Sequence, residues 1–132
     1  MDSVVWSDKY SVGIQKFDNQ HKILLEKINE LDQIHKKRED FRKIEPVIEN
    51  LIEYAKTHFV EEEEFMKGFQ YDRYTEHRML HLDFIRKITE FHIRFKQQDK
   101  KILSEMLFFL QRWLLQHILI EDKKYSDYMK ID

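Results

Sequence analysis

Four stretches of this chain carry apolar residues at every third or fourth position, and on the same inward stripe of each stands a histidine or a carboxylate. A period of three and four is the signature of an amphipathic helix whose striped face packs into a core. The first stripe is His21, Leu24, Leu25, Ile28, Leu31 and Asp32, with Asp18 placed to cap it, so a helix is expected over about residues 19–37. The second, expected over about residues 41–66, runs Ile48, Leu51, Ile52, Ala55, His58, Phe59, Glu62, Phe65 and Met66. Pro46 falls inside it, so either the regular helix starts near Glu45 or its first turns bend, and Gly68 supplies a stop signal. The third stripe is His77, Leu80, His81, Phe84, Ile85, Ile88, Phe91 and Phe95. The fourth is Leu103, Met106, Leu107, Leu110, Trp113, Leu114 and His117, followed by a polar tail from Glu121 that holds Asp122 and Tyr125.

Two glycines and one proline in 132 residues leave too few turn residues for a many-stranded sheet. The chain is expected to be all-α and a single domain, 1–132. Short connections favour antiparallel neighbours, hence an up-down-up-down four-helix bundle. Residues 1–17 lack a helical period and hold Val4, Val5, Trp6, Tyr10, Val12 and Ile14 around Gly13, which reads as an extended N-terminal arm laid across the bundle with Trp6 as its anchor. A formal net charge of -2, with both signs interspersed, gives no footprint for nucleic acid or an anionic membrane. No run has the length of a signal peptide core or a membrane span, so a cytoplasmic protein without membrane insertion is expected.

The inward stripes put His21, His58, Glu62, His77, His81, His117 and Asp122 into one core. A lone buried imidazole is satisfied by a carbonyl or a water, but five imidazoles and two carboxylates together would have to protonate or expand unless a cation lies between them. His58 with Glu62, and His77 with His81, are four apart and share a helix face. With no cysteine present, any metal must be held by nitrogen and oxygen, which suits iron, manganese, zinc or copper. Seven donors exceed the four of one tetrahedral ion and fit two bridged ions better. His117 and Asp122 are five apart, so the helix must widen or end between Ile118 and Asp122 for both to reach one centre. His35 and His92 lie fourteen and eleven residues beyond His21 and His81, roughly 20 and 16 Å along a helix, and take structural roles. In the acidic run 61–64 only Glu62 falls on the stripe, so Glu61, Glu63 and Glu64 read as a solvated face.

The pattern resembles the hemerythrins, and within them the single-domain bacterial branch. The residues that carry the likeness are Val5-Trp6, Gly13-Ile14, Asp18-Asn19-Gln20-His21, His58-Phe59-Val60-Glu61-Glu62, His77-Arg78-Met79-Leu80-His81, and the run 113–122 with His117 and Asp122. The resemblance implies two iron ions bridged by an oxo or hydroxo group and by Glu62 and Asp122, with His77, His81 and His117 on one iron and His21 and His58 on the other. It implies reversible binding of dioxygen at the two-histidine iron, and an oxygen pocket formed by Leu24, Phe59, Phe84, Trp113 and Leu119. Tyr125 is a candidate second layer behind the metal. Five neutral imidazoles keep the centre poor in negative charge, which favours binding over oxygen activation, so a non-enzymatic protein for oxygen storage, delivery or buffering is expected, with an unidentified protein acceptor of oxygen as its one macromolecular partner. The alternatives are a di-iron peroxidase or oxidase, a nitric oxide scavenger, or a sensor using the same site. The stripes show no general acid near the open position, which favours the first reading.

Overall fold

In a computed structural model, which describes residues 5–131, four helical rods account for most of the chain. They are α1 (Gln15–Lys36), α2 (Ile44–Gly68), α3 (Tyr74–Lys96) and a composite fourth rod. That rod begins as α4 (Ile102–Trp113), widens into a π-helical segment (Leu114–Asp122) and resumes as α5 (Lys123–Ile131). Each rod packs on the next, and α4 returns against α1 to close the bundle. The core of its far half is a layer of Ile28, Leu31, Ile44, Ile48, Leu51, Ile88, Phe91, Ile102 and Met106, all buried. Val4, assigned to the arm on sequence grounds, lies outside the described residues.

Several boundaries differ from the sequence reading, each for a local reason. Helix α1 starts at Gln15, four residues early, because Asp18 does not cap it. The Asp18 carboxylate turns back to accept from the Val12 amide at 2.8 Å and from the Ser11 hydroxyl at 2.6 Å, so it clamps the arm instead. The arm is thus residues 5–14 rather than up to 17, and it contains a 3-10 turn at Asp8–Tyr10. Pro46 does not bend α2: it is the third helical residue, where its missing amide hydrogen is among those with no intrahelical partner. The expected polar tail is helical, with Tyr125 and Ser126 buried. Tyr125 joins Val12, Phe17, Met66 and Tyr71 in a second apolar cluster, and the Ser126 hydroxyl donates to the Val12 carbonyl at 2.6 Å, tying the end of the chain to the arm.

Three helix ends share one device. After α1, α2 and α3 the chain enters the left-handed region at Arg38 (φ 50), Gln70 (φ 56) and Gln98 (φ 61). The two amides that follow each cap then bond back to carbonyls in the last turn, as in Tyr71 to Met66 at 3.0 Å and Gln70 to Lys67 at 3.1 Å. This is the Schellman arrangement, formed here without glycine. Gly68 is the last residue of α2 rather than its left-handed stop, which Gln70 provides. A side chain in this conformation costs on the order of 1 kcal/mol. Gln98→Gly is therefore expected to stabilise the fold by about 0.5 to 1 kcal/mol in denaturant titration; a loss of stability would show that Gln98 is not strained.

Candidate metal centre

The seven inward donors come from all four rods near one end of the bundle. His21 lies early in α1, His58 and Glu62 are a turn apart in α2, His77 and His81 are a turn apart in α3, and His117 and Asp122 belong to the π segment. None is more than 3 % exposed. The widened helix is what lets His117 and Asp122, five residues apart, turn to one side: His117 Nε2 lies 2.9 Å from Asp122 Oδ1. Widening was expected between Ile118 and Asp122, but it starts at Leu114, so His117 itself sits on π-helical backbone.

The donors divide into two sets that share both carboxylates. One set is His77, His81 and His117 with Glu62 and Asp122; the other is His21 and His58 with the same two carboxylates. Glu62 turns Oε1 to the first set, 2.9 Å from His81 Nε2 and 3.1 Å from His77 Nε2, and Oε2 to the second, 3.4 Å from His58 Nε2. Asp122 does likewise, with Oδ1 2.9 Å from His77 and His117 and Oδ2 3.2 Å from His21. The Nε2 atoms of His81 and His117 face each other at 3.0 Å. Bonds of about 2.1 Å would put neighbouring ligands of one ion roughly 3 Å apart, which is the spacing seen across the first set.

The polar atoms also fit a metal. Asp122 Oδ1 and Oδ2 and both ring nitrogens of His21 are buried without an aligned hydrogen bond among the described residues, despite lying close to one another. Such groups destabilise a core unless a ligand completes them. Burial opposes charge on Glu62, yet the facing His58, His77 and His81 hold its carboxyl well below the usual range. Burial also opposes charge on His77, but Asp122 and Glu62 outweigh it and push the imidazole up to about 10. His21 and His81 are raised in the same sense against burial, while for His117 burial wins and the ring is lowered. In the metal-free state, protons hold the carboxylates together where a cation is suited to do so.

A second layer holds the imidazoles in orientation. Phe59 lies flat on His81 with centroids 3.9 Å apart, and Trp113 lies on His117 at 4.2 Å. Tyr54 lies on His58 at 5.2 Å and 10°. The outer nitrogen of His81 bonds to Glu63 at 2.9 Å, and Arg78 steadies that carboxylate at 3.5 Å. The outer nitrogen of His58 bonds to the Gln20 amide oxygen, and Gln20 donates to Glu61 at 2.5 Å, which in turn pairs with Lys16 at 3.2 Å. The Tyr125 hydroxyl donates to Glu62 Oε2 at 3.0 Å. Burial, together with the Glu62 and Asp122 charges, keeps this phenol protonated well above its usual range. Glu61 and Glu63 are thus not merely a solvated face, and Tyr54 escaped the sequence reading although it repeats the four-residue aromatic-to-histidine step of Trp113 and His117.

Leu24, Phe59 and Phe84 are buried in the main core, and Trp113 and Leu119 are partly buried against it. Phe84 packs on both Phe59 and Trp113, at 5.5 and 4.5 Å between ring centroids. His92 stands outside the cluster and meets Glu45 at 3.3 Å. His35 is exposed and also stands outside the cluster.

The likeness to known proteins agrees with this geometry. The family description "Hemerythrin HHE cation binding domain" matches residues 12–128. A bacteriohemerythrin of Clostridium acetobutylicum is 36% identical over 93% of this chain and 98% of that protein. One of Pseudomonas aeruginosa is 39% identical over 96% of this chain and 82% of its own length. A crystal structure of wild-type hemerythrin superposes with a TM-score of 0.85 at 23% identity, covering 96% of this chain and 97% of that one, which shows the shared fold. The chain belongs to the hemerythrin family, which binds a di-iron centre, and its buried His, Glu and Asp cluster is suited to that cofactor.

Two outcomes follow from the centre's surroundings. Replacing Glu63 by Gln removes the charge behind His81 and is expected to weaken metal retention by about tenfold or more in chelator competition; unchanged retention would deny Glu63 that role. The second concerns pH. His77 in the metal-free fold is raised from 6.5 to about 10, so the stability it contributes is complete below pH 6.5 and is lost as pH rises through 10. The metal-free protein should therefore melt progressively lower from pH 7 to 10, while the metal-loaded protein, whose imidazoles are neutral ligands, should not; parallel profiles would contradict the assignment.

Proposed function

We propose that this chain binds dioxygen reversibly at a non-haem, carboxylate-bridged di-iron centre, for oxygen storage, delivery or buffering, and that it is a binding protein rather than an enzyme. The observation that carries the reading is the unequal division of donors: three imidazoles on one side, two on the other, with both carboxylates shared. His77, His81 and His117 would hold one iron, His21 and His58 the other, and Glu62 and Asp122 would bridge them. The side with one imidazole fewer is where a small molecule can enter. When bound, a ferrous pair supplies the two electrons that a reversible exchange with dioxygen needs.

What the chain contributes is control of charge, water and geometry. Two carboxylates and five neutral imidazoles would offset half of the charge of two divalent ions, so the chain would leave the centre with a small positive charge in a core closed to water. Leu24, Phe59 and Phe84 are buried, and with Trp113 and Leu119 they would keep water and external acids from the entry side. The stacked Phe59 and Trp113 fix the rings of His81 and His117, so the three-histidine side is held rigid. No helix among the described residues is long and apolar enough to cross a membrane. A chain without cysteine suits a cytoplasmic setting, which is part of the proposal.

An absorption spectrum recorded under argon, then air, then argon again tests the reading. The expected result is about two irons per chain and a colour that comes with air and leaves on degassing. Bleaching to a product state with release of peroxide would instead identify an oxidase, and a single zinc per chain would remove the dinuclear centre.

A further inference from the structure

Among the described residues, seven buried side-chain atoms have no hydrogen bond: both ring nitrogens of His21, both carboxylate oxygens of Asp122, both of Asp32, and the Tyr54 hydroxyl. His21 Nε2 and the two Asp122 oxygens face the proposed metal pair, and Asp32 lies 2.9 Å from the Lys36 ammonium. The Tyr54 hydroxyl is left without such a neighbour, as is the outer ring nitrogen of His21, which as an N–H donor cannot accept from the phenol. Its ring is held parallel to His58, an imidazole of the two-histidine side, with centroids 5.2 Å apart. A phenylalanine would stack on His58 equally well without burying an unpaired hydroxyl, which costs free energy when nothing accepts from it. The missing acceptor is therefore a species that arrives from outside.

Resting on the dioxygen-binding reading, we propose that Tyr54 is a positioning residue that donates a hydrogen bond to a small ligand entering on the His21–His58 side. The class of ligand it suits is diatomic or triatomic, with an acceptor atom that gains negative charge at an oxidised metal. Several features fit this role. The donor is a phenol whose hydroxyl is buried and uncommitted among the described residues. Its ring is pinned by His58 on one side and packs into the main core, so the hydroxyl has little freedom to turn away. Tyr125 also donates from the second layer, but its hydroxyl is already committed to Glu62. The entry side is thus an apolar pocket with one built-in donor, which the sequence reading did not include.

Azide is a suitable probe because it is a small anion that binds oxidised iron, and the test compares wild type with Tyr54→Phe in the full chain. The variant is expected to hold about two irons and, when metal-free, to melt no lower than wild type. Its azide affinity in the oxidised, iron-loaded state should fall by about tenfold, as for loss of a hydrogen bond to a charged acceptor. The infrared stretch of the bound azide should shift. Affinity within about twofold of wild type with an unshifted stretch would overturn the proposal, as would loss of iron or a lower metal-free melting point, which would make Tyr54 a packing residue. Wild-type protein that holds its iron pair but takes up no azide would instead overturn the open side on which the functional reading depends.

Discussion

Two carboxylates with no access to water, Glu62 and Asp122, set the terms for the rest of this structure. Buried anions are tolerated only where cations or well-aligned donors surround them. The fold meets that demand by bringing five imidazoles from four rods around the pair, and each carboxylate shows one oxygen to each set. Register along all four helices follows. A shift of one residue in any rod would rotate its donors by about 100° and leave a charge unpaired in the core.

The fourth rod shows how far the backbone yields to this demand. A regular α-helix would turn Asp122 away from His117 by about 140°, so the chain runs through Leu114–Asp122 as a π-helix, a geometry that is rare except where a site requires it. The elements beyond the widened segment then close the end of the centre. Helix α5 brings Tyr125 beneath Glu62, and Val12 of the arm and Phe17 of the first turn of α1 pack with Tyr125, the arm being fastened by Asp18 and Ser126. The arm and the final helix are therefore parts of one cover, assembled from opposite ends of the chain.

Much of this was legible from residue spacing. The three and four residue period identified the four rods and which side of each faces inward, and it brought the seven donors to one place. The five-residue step from His117 to Asp122 required a distorted helix, though not where the distortion begins. The parts that spacing did not reveal lie one layer out or at helix ends. Glu61 and Glu63 read as solvated because periodicity reports the direction of a side chain from its own helix, whereas their partners Gln20 and His81 belong to neighbouring ones. Tyr54 lies four residues before His58 on the same helix face, but spacing does not separate an aromatic that fills the core from one that stacks on a ligand. Asp18 looked like a helix cap because aspartate commonly serves as one, but the arm's amides compete for the same carboxylate. The helix ends were obscured because arginine and glutamine occupy left-handed positions where glycine is the usual signal.

The central claim is that separate rods hold a pair of cations through two shared carboxylates. X-ray absorption at the iron edge of the loaded protein addresses it most directly. The account predicts nitrogen and oxygen neighbours at about 2.1 Å and a second iron within roughly 3.5 to 4 Å. An iron surrounded only by light atoms, with no second metal at that range, would contradict it.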